Sequence, residues 1–282
     1  MFGHRSDGKE LKNLSPIFRI IPSVMKERCD AQVYFNQDIN ITPMENYIAK
    51  KAEEGIKISI LDIIFAGVVR IIAERPQLNR FCVNGRTYAR NDLTVSLAIK
   101  KSLTDSGEET NIKPYFTGNE TLFEVRDILQ NMIEENKKVE TANSLDKFIG
   151  VLNKIPTSFI KFVVGRLIAM DKHGHLPKSI IKLSPFHTSA YITNVGSLGI
   201  NSIYHHIYNF GTTSLFFAMG KKKKSYIYED DEIREEKVIN VAFVGDERIC
   251  DGYYFASSFR QLHKYLMHPE LLETPGKRER EI

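Results

Sequence analysis

From Ser59 to Glu74 the chain reads SILDIIFAGVVRIIAE, apolar nearly all the way round a helical wheel, and Pro76 closes it. A helix with so little polar face must be covered on every side, so the rest of the chain has to build layers around it. With 282 residues, 42% of them apolar, there is enough material for a large buried core.

The flanking segments supply those layers. Ala31 to Ile41, AQVYFNQDINI, alternates apolar and polar β-formers and predicts a strand. Thr42 then reads as an N-cap, with Pro43 at the first helical position and Glu45 completing a capping box, for a helix to about Glu54 that stops at Gly55. Asn84-Gly85 between Phe81 to Val83 and Arg86 to Tyr88 predicts a tight hairpin, and Thr94 to Lys100 a further strand. Leu122 to Thr141 carries apolar residues three and four apart and predicts a long amphipathic helix. Asp146 to Lys182 is apolar and basic, broken at Gly174 and Pro177, and reads as a packed helical pair. Strands are predicted at Ser189 to Asn194, Ser214 to Met219, Lys224 to Tyr228 and Lys237 to Val244, and a closing helix at Tyr253 to Leu266. Strands and helices alternate without a βαβ rhythm, which predicts an α/β domain built on a mixed β-sheet with helices packed on its faces. The expected organisation is an N-terminal segment over 1–30, one domain over 31–272 with a helical insert at 146–182, and a charged tail over 273–282.

Charge excludes some functions. The 39 basic and 35 acidic residues leave a net charge of +4, and they lie in mixed clusters such as Glu229 to Glu236, so no nucleic-acid partner is expected. Cys29, Cys82 and Cys250 are odd in number and widely spaced, which argues against disulfides and a zinc site and for a reducing compartment. The segment Met1 to Lys12 has no apolar core, so a cytoplasmic protein is expected. Ile56 to Ala73 and Ile155 to Met170 are interrupted by charges, so no stable membrane insertion is expected; packing in the core is the default for the second, with a membrane surface or an acceptor pocket as alternatives.

Two motifs point to chemistry. Asp246-Glu247-Arg248-Ile249-Cys250-Asp251-Gly252 lies between a β-rich segment and a helix, and the chain continues YYFASSFRQLHKYLMHPELL. Thr193-Asn194-Val195-Gly196-Ser197-Leu198-Gly199-Ile200 forms a strand end and a glycine turn. The first resembles the Asp-His-Arg-x-x-Asp-Gly signature and "P-E-L-L" ending of the dihydrolipoyl acyltransferase cores of 2-oxo acid dehydrogenase complexes, and the related His-x-x-x-Asp-Gly pattern of chloramphenicol acetyltransferase. The second is similar to their "T-I-S-N-L-G" strand. Ile58 to Ile99 parallels the family's core helix, hairpin and following strand, so the resemblance runs from Val33 to Leu272 with 146–182 matching poorly.

The resemblance implies a chloramphenicol acetyltransferase-like fold and a homotrimer, or a larger assembly of trimers. It places each site at a subunit interface, where coenzyme A (an acyl-CoA as co-substrate) and a small-molecule acceptor enter from opposite ends. It implies that Thr193 steadies the oxyanion and that Asp251 organises the site. The chain shows no lipoyl or subunit-binding segment ahead of the core, so a free-standing protein is expected. The position of the family's catalytic imidazole is Glu247. A carboxyl titrates at about 4.3 against about 6.5 for imidazole, so a glutamate here is charged at neutral pH and a poor donor for the proton's return. Losing a positioned base costs about 10²- to 10⁴-fold in rate. Three readings stay open: Glu247 as a working base raised by burial, a site that binds acyl-CoA without turnover as a silent binding or scaffold trimer, or a base supplied from elsewhere.

His205 and His206 are the candidates for a relocated base or a substrate contact; on a strand only one of two neighbours would face a channel. Arg248 is a substrate-binding candidate whose bland alternative is a surface ion pair with Asp246 or Glu247. Lys221 to Lys224 would suit the phosphates of coenzyme A, or form a solvated edge. Cys250 reads as a small buried hydrophobe, and no metal ligands are expected.

Overall fold

The computed structural model describes residues 5–100, 109–138 and 156–281. In chain order the elements are β1 (Gly8–Glu10), α1 (Pro16–Val24), β2 (Gln32–Asn40), α2 (Thr42–Glu53), α3 (Ile60–Glu74), β3 (Arg80–Val83) and β4 (Arg86–Arg90). There follow β5 (Leu93–Lys100), β6 (Glu109–Ile112), β7 (Tyr115–Phe116), α4 (Leu122–Lys138), α5 (Thr157–Lys172) and α6 (Lys178–Leu183). The last part holds β8 (Ala190–Asn194), β9 (Leu215–Glu229), β10 (Glu232–Asp246) and α7 (Gly252–Met267).

The main sheet has the order β2-β10-β9-β8-β5-β6, with β7 paired to β5. Strand β8 runs parallel to both β5 and β9 while the remaining pairs are antiparallel, so the sheet is mixed, as the lack of a βαβ rhythm predicts. A smaller sheet, β1-β4-β3, contains the expected hairpin: Val83 faces Arg86, and Asn84 and Gly85 both take positive φ, 51° and 72°.

Helix α3 lies where its composition requires. Every residue from Asp62 to Ala73 is buried, against one face of the main sheet and beneath α4 and α7. Its N-terminus carries a complete capping box, with Ser59 accepting from the Asp62 amide and Asp62 accepting from the Ser59 amide at 2.8 Å. The capping box expected at Thr42 does not form. The helix begins one residue earlier, the Thr42 amide donates to Asn40 Oδ1 at 2.9 Å, and Glu45 turns away to Lys222 and Lys237 on the sheet.

A second correction concerns the last strands. Ser214 to Met219 and Lys224 to Tyr228 are one strand, β9, continuous through Lys221 to Lys224. Beyond Gly220 it pairs, among the described residues, with β10 alone, and the two strands form an exposed hairpin arm. Within the expected insert, residues 146–155 lie outside the described residues, as do residues 139–141 of the expected long helix; the remainder of the insert forms α5 and α6.

Candidate active site

Strand β10 ends at Asp246, and the turn after it is held by buried charges. Asp246 is 0% exposed and is gripped by Arg248 through Nε at 2.8 Å and Nη2 at 2.7 Å, while the Arg248 amide donates to the same carboxylate at 3.1 Å. Arg28 Nε lies 3.5 Å from Oδ2 of that carboxylate, and Arg28 donates to the carbonyls of Tyr208, Gly211 and Cys82. Arg248 is therefore a buried strut, which also donates to the Met25 carbonyl at 3.0 Å, and its ion pair with Asp246 is buried where a surface pair was the alternative. Between these two locked residues Glu247 is tied, among the described residues, by its amide alone, to Ala31 O at 2.9 Å, and its side chain is exposed. Three positions on, Cys250 is buried, and burial pushes its thiol above the ordinary range. Asp251 is the N-cap of α7, accepting from the Tyr254 amide at 2.7 Å.

Thr193 sits half-buried near the end of β8, on the sheet face opposite α3 because it shares the parity of Tyr191. The glycine turn beyond it owes its composition to contact. A Cβ on Gly196 would fall 2.3 Å from the carbonyl oxygen of Gly220, and one on Gly220 would fall 2.4 Å from the Ser202 amide. Only glycines let these backbones meet.

The registers fix how far apart the two motifs lie. Thr193 is level with Ala218 and, across β9, with Ala242. Asp246 is four residues further along β10 and two strands away, which places the Thr193 and Asp246 backbones about 16 Å apart. Glu247 lies beyond that, so the two candidate groups of one chain cannot touch the same small acyl centre.

His205 and His206 are not on a strand. Residues 200–211 form an extended loop that covers this second sheet face and is fastened at intervals. The Lys221 amide donates to Ile200 O, Asn36 donates to the Tyr204 hydroxyl at 2.7 Å, the Ile207 amide donates to Gln32 Oε1 at 3.0 Å, and Arg28 holds Tyr208 O. The two imidazoles do not face opposite sides. They stack at 4.9 Å and continue a ladder of rings in which His205 lies 4.2 Å from Phe216, itself 4.9 Å from Tyr191. His205 is thus a clip of the loop and His206 the exposed end of the ladder. The lysine run belongs to the arm, where Lys222, Lys223 and Lys224 pair with Glu45, Asp38 and Glu235 at 2.8 to 2.9 Å.

One charged cluster has no local signature in the sequence. Arg5 binds Asp7 at 2.8 Å and Asp171 at 2.7 Å, and His187 places Nε2 3.2 Å from Asp171 and Nδ1 2.8 Å from Ser184 Oγ. Burial opposes charge on Asp171, yet His187 and Arg5 hold its carboxyl well below the usual range; burial lowers His187 despite Asp171. The arrangement has the residue types of a hydrolytic triad, but Ser184, His187 and Asp171 are all buried. It is a structural knot joining the N-terminal strand, α5 and the turn before β8. Among the described residues no three His, Cys, Asp or Glu side chains gather as a metal site.

Residues 186–274, from the turn before β8 through α7, match the family described as 2-oxoacid dehydrogenases acyltransferase (catalytic domain). The cubic core of a pyruvate dehydrogenase multienzyme complex superposes with a TM-score of 0.59 at 12% identity, covering 94% of this chain and 93% of that one. A probable dihydrolipoamide acetyltransferase from Listeria monocytogenes gives 0.56 at 14% identity over 92% and 94%. A chloramphenicol acetyltransferase gives 0.56 at 10% identity over 92% and 99%. This is the chloramphenicol acetyltransferase-like fold. No curated protein matches the chain in sequence. Within the acyltransferase fold the matched stretch contains both Thr193 and the Glu247 turn. Among the described residues no helix is long and apolar enough to cross a membrane.

Proposed function

We propose that this protein is a cytoplasmic, CoA-dependent acyltransferase that works as a homotrimer, or a larger assembly of trimers, with each reaction site shared between two copies. Glu247 of one copy takes the proton of a small acceptor, and the acceptor attacks the acyl-CoA carbonyl. The oxyanion that forms is steadied by the Thr193 hydroxyl of the neighbour, and collapse expels the CoA thiolate, which recovers the proton from Glu247. Asp251 holds the start of α7 behind the turn. His206, exposed at the end of the ring ladder, is the imidazole left to meet the acceptor.

The observation that carries this reading is the separation of about 16 Å between the two motifs along the sheet. Either motif alone lacks the other half of an acyl-transfer site, and a second copy supplies it. The same copy would cover Glu247, which its own chain leaves exposed, and a carboxyl that must return a proton needs such cover.

The test is CoA release from acetyl-CoA and longer acyl-CoAs with a mixed acceptor panel. Wild type should turn over, Glu247→Ala and Thr193→Ala should each lose about 10²-fold or more, and mixed assemblies of the two variants should regain about a quarter of the sites. Absence of recovery on mixing excludes a shared site. The exposed carboxylate also supports a second reading, a silent binding or scaffold trimer. No release by wild type, with release appearing in Glu247→His, would establish that one instead.

A further inference from the structure

Helix α5, TSFIKFVVGRLIAMDK, is apolar on most of its circumference, yet of its sixteen residues only Asp171 is buried. A helix of this composition is normally enclosed. Here Phe159 is 51% exposed, Phe162 64%, Val164 40% and Ile168 45%, and Leu183 on α6 is 45% exposed. A Cβ added at Gly165 would meet nothing within 4 Å among the described residues.

The pair is nonetheless held firmly, and by polar groups at its ends. Asp171, at the C-terminal end of α5, is locked to Arg5 and His187, and Lys113 donates to Ile181 O at 2.5 Å and Ser184 O at 2.8 Å at the end of α6. These polar ends anchor the pair, while Ile160, Val163, Leu167 and Met170 lie half-buried along one side of α5 and leave the remaining apolar side chains outside. Exposed among them are Lys161, Arg166, Lys172, Lys178 and Lys182, while the one acid of the two helices, Asp171, is buried and neutralised within the knot. The face thus presents apolar anchors and positive charge that no acid among the described residues pairs with.

We infer that α5 and α6 form a docking face for an anionic phospholipid bilayer, on which α5 lies along the interface without crossing it. Rings and branched chains enter the acyl boundary while the cations meet headgroup phosphates. A two-fold contact with a second copy would oppose two identical clusters of cations, which disfavours that pairing, and a three-fold contact through this face is an outcome of the test below.

The experiment is co-sedimentation of the full-length protein with phosphatidylglycerol/phosphatidylcholine vesicles and with phosphatidylcholine vesicles, at low and high salt. Binding is expected to the anionic vesicles only, to weaken with salt, and to fall at least about tenfold in Phe159→Ser/Phe162→Ser and in Lys161→Glu/Arg166→Glu. Because the altered side chains are exposed, thermal midpoints of both variants should match wild type, which separates lost docking from lost folding. Equal partition onto neutral vesicles, no binding to either, or binding indifferent to both variants overturns the proposal. So does a wild-type self-association that the phenylalanine variant abolishes, which assigns the face to a second copy.

Discussion

Arg248 and Asp246 are joined by two parallel hydrogen bonds, Nε to Oδ1 and Nη2 to Oδ2, and the residue between them in sequence is turned out to solvent. The pair fixes the turn from below, so the exposed position stays where the strand aims it.

Stability and activity should therefore separate within three consecutive residues. Arg248→Ala leaves a fully buried carboxylate with Arg28 at 3.5 Å and is expected to cost about 3 to 5 kcal/mol in urea unfolding. Glu247→Ala should change stability by no more than about 0.5 kcal/mol. Equal losses would mean that Glu247 is part of the buried network.

Gly196→Ala should destabilise by about 1 to 3 kcal/mol, since the new methyl meets the Gly220 carbonyl and both backbones must shift. Because the turn follows directly on Thr193, CoA release should fall with it. A thermal midpoint equal to wild type would show that the close approach is not maintained in solution.

The two capping positions should behave oppositely. Ser59→Ala removes a side chain that accepts from the Asp62 amide and should cost about 0.5 to 2 kcal/mol. Thr42→Ala makes no cap to lose and should be close to neutral, within about 0.5 kcal/mol. Chemical denaturation of both variants decides.

Acid should loosen the Arg5, Asp171 and His187 knot in two stages. His187 has a folded pKa lowered by burial, so below about 6.5 the unfolded chain binds the proton first and stability falls. Asp171 is also lowered, so its contribution is present above about 4 and is lost as pH drops through its folded value. The urea midpoint should decline from pH 6.5 downward, and His187→Gln should flatten the part between about 6.5 and 5 while leaving the steeper fall below. An unchanged profile in that variant would remove His187 from the account.

What the sequence determined by itself are features whose causes lie within a few residues. The Asn84-Gly85 turn demands positive φ twice, the apolar circumference of α3 demands enclosure, and Asp251 before Gly252 caps the helix that follows. The motifs around Thr193 and Glu247 were visible for the same reason, being contiguous. Tertiary structure decided everything that depends on a partner far along the chain. Asn40 and the sheet lysines drew Thr42 and Glu45 away from a capping box that their spacing allowed. Arg28 and Met25 made a buried strut of an arginine that reads as a surface charge. Phe216 gathered two histidines into one stack, and Arg5 found Asp171 across 166 positions. Local signals choose among a few backbone states, but burial and pairing are settled only when the sheet brings distant residues into register, and the 16 Å between Thr193 and the Glu247 turn is a consequence of that register alone.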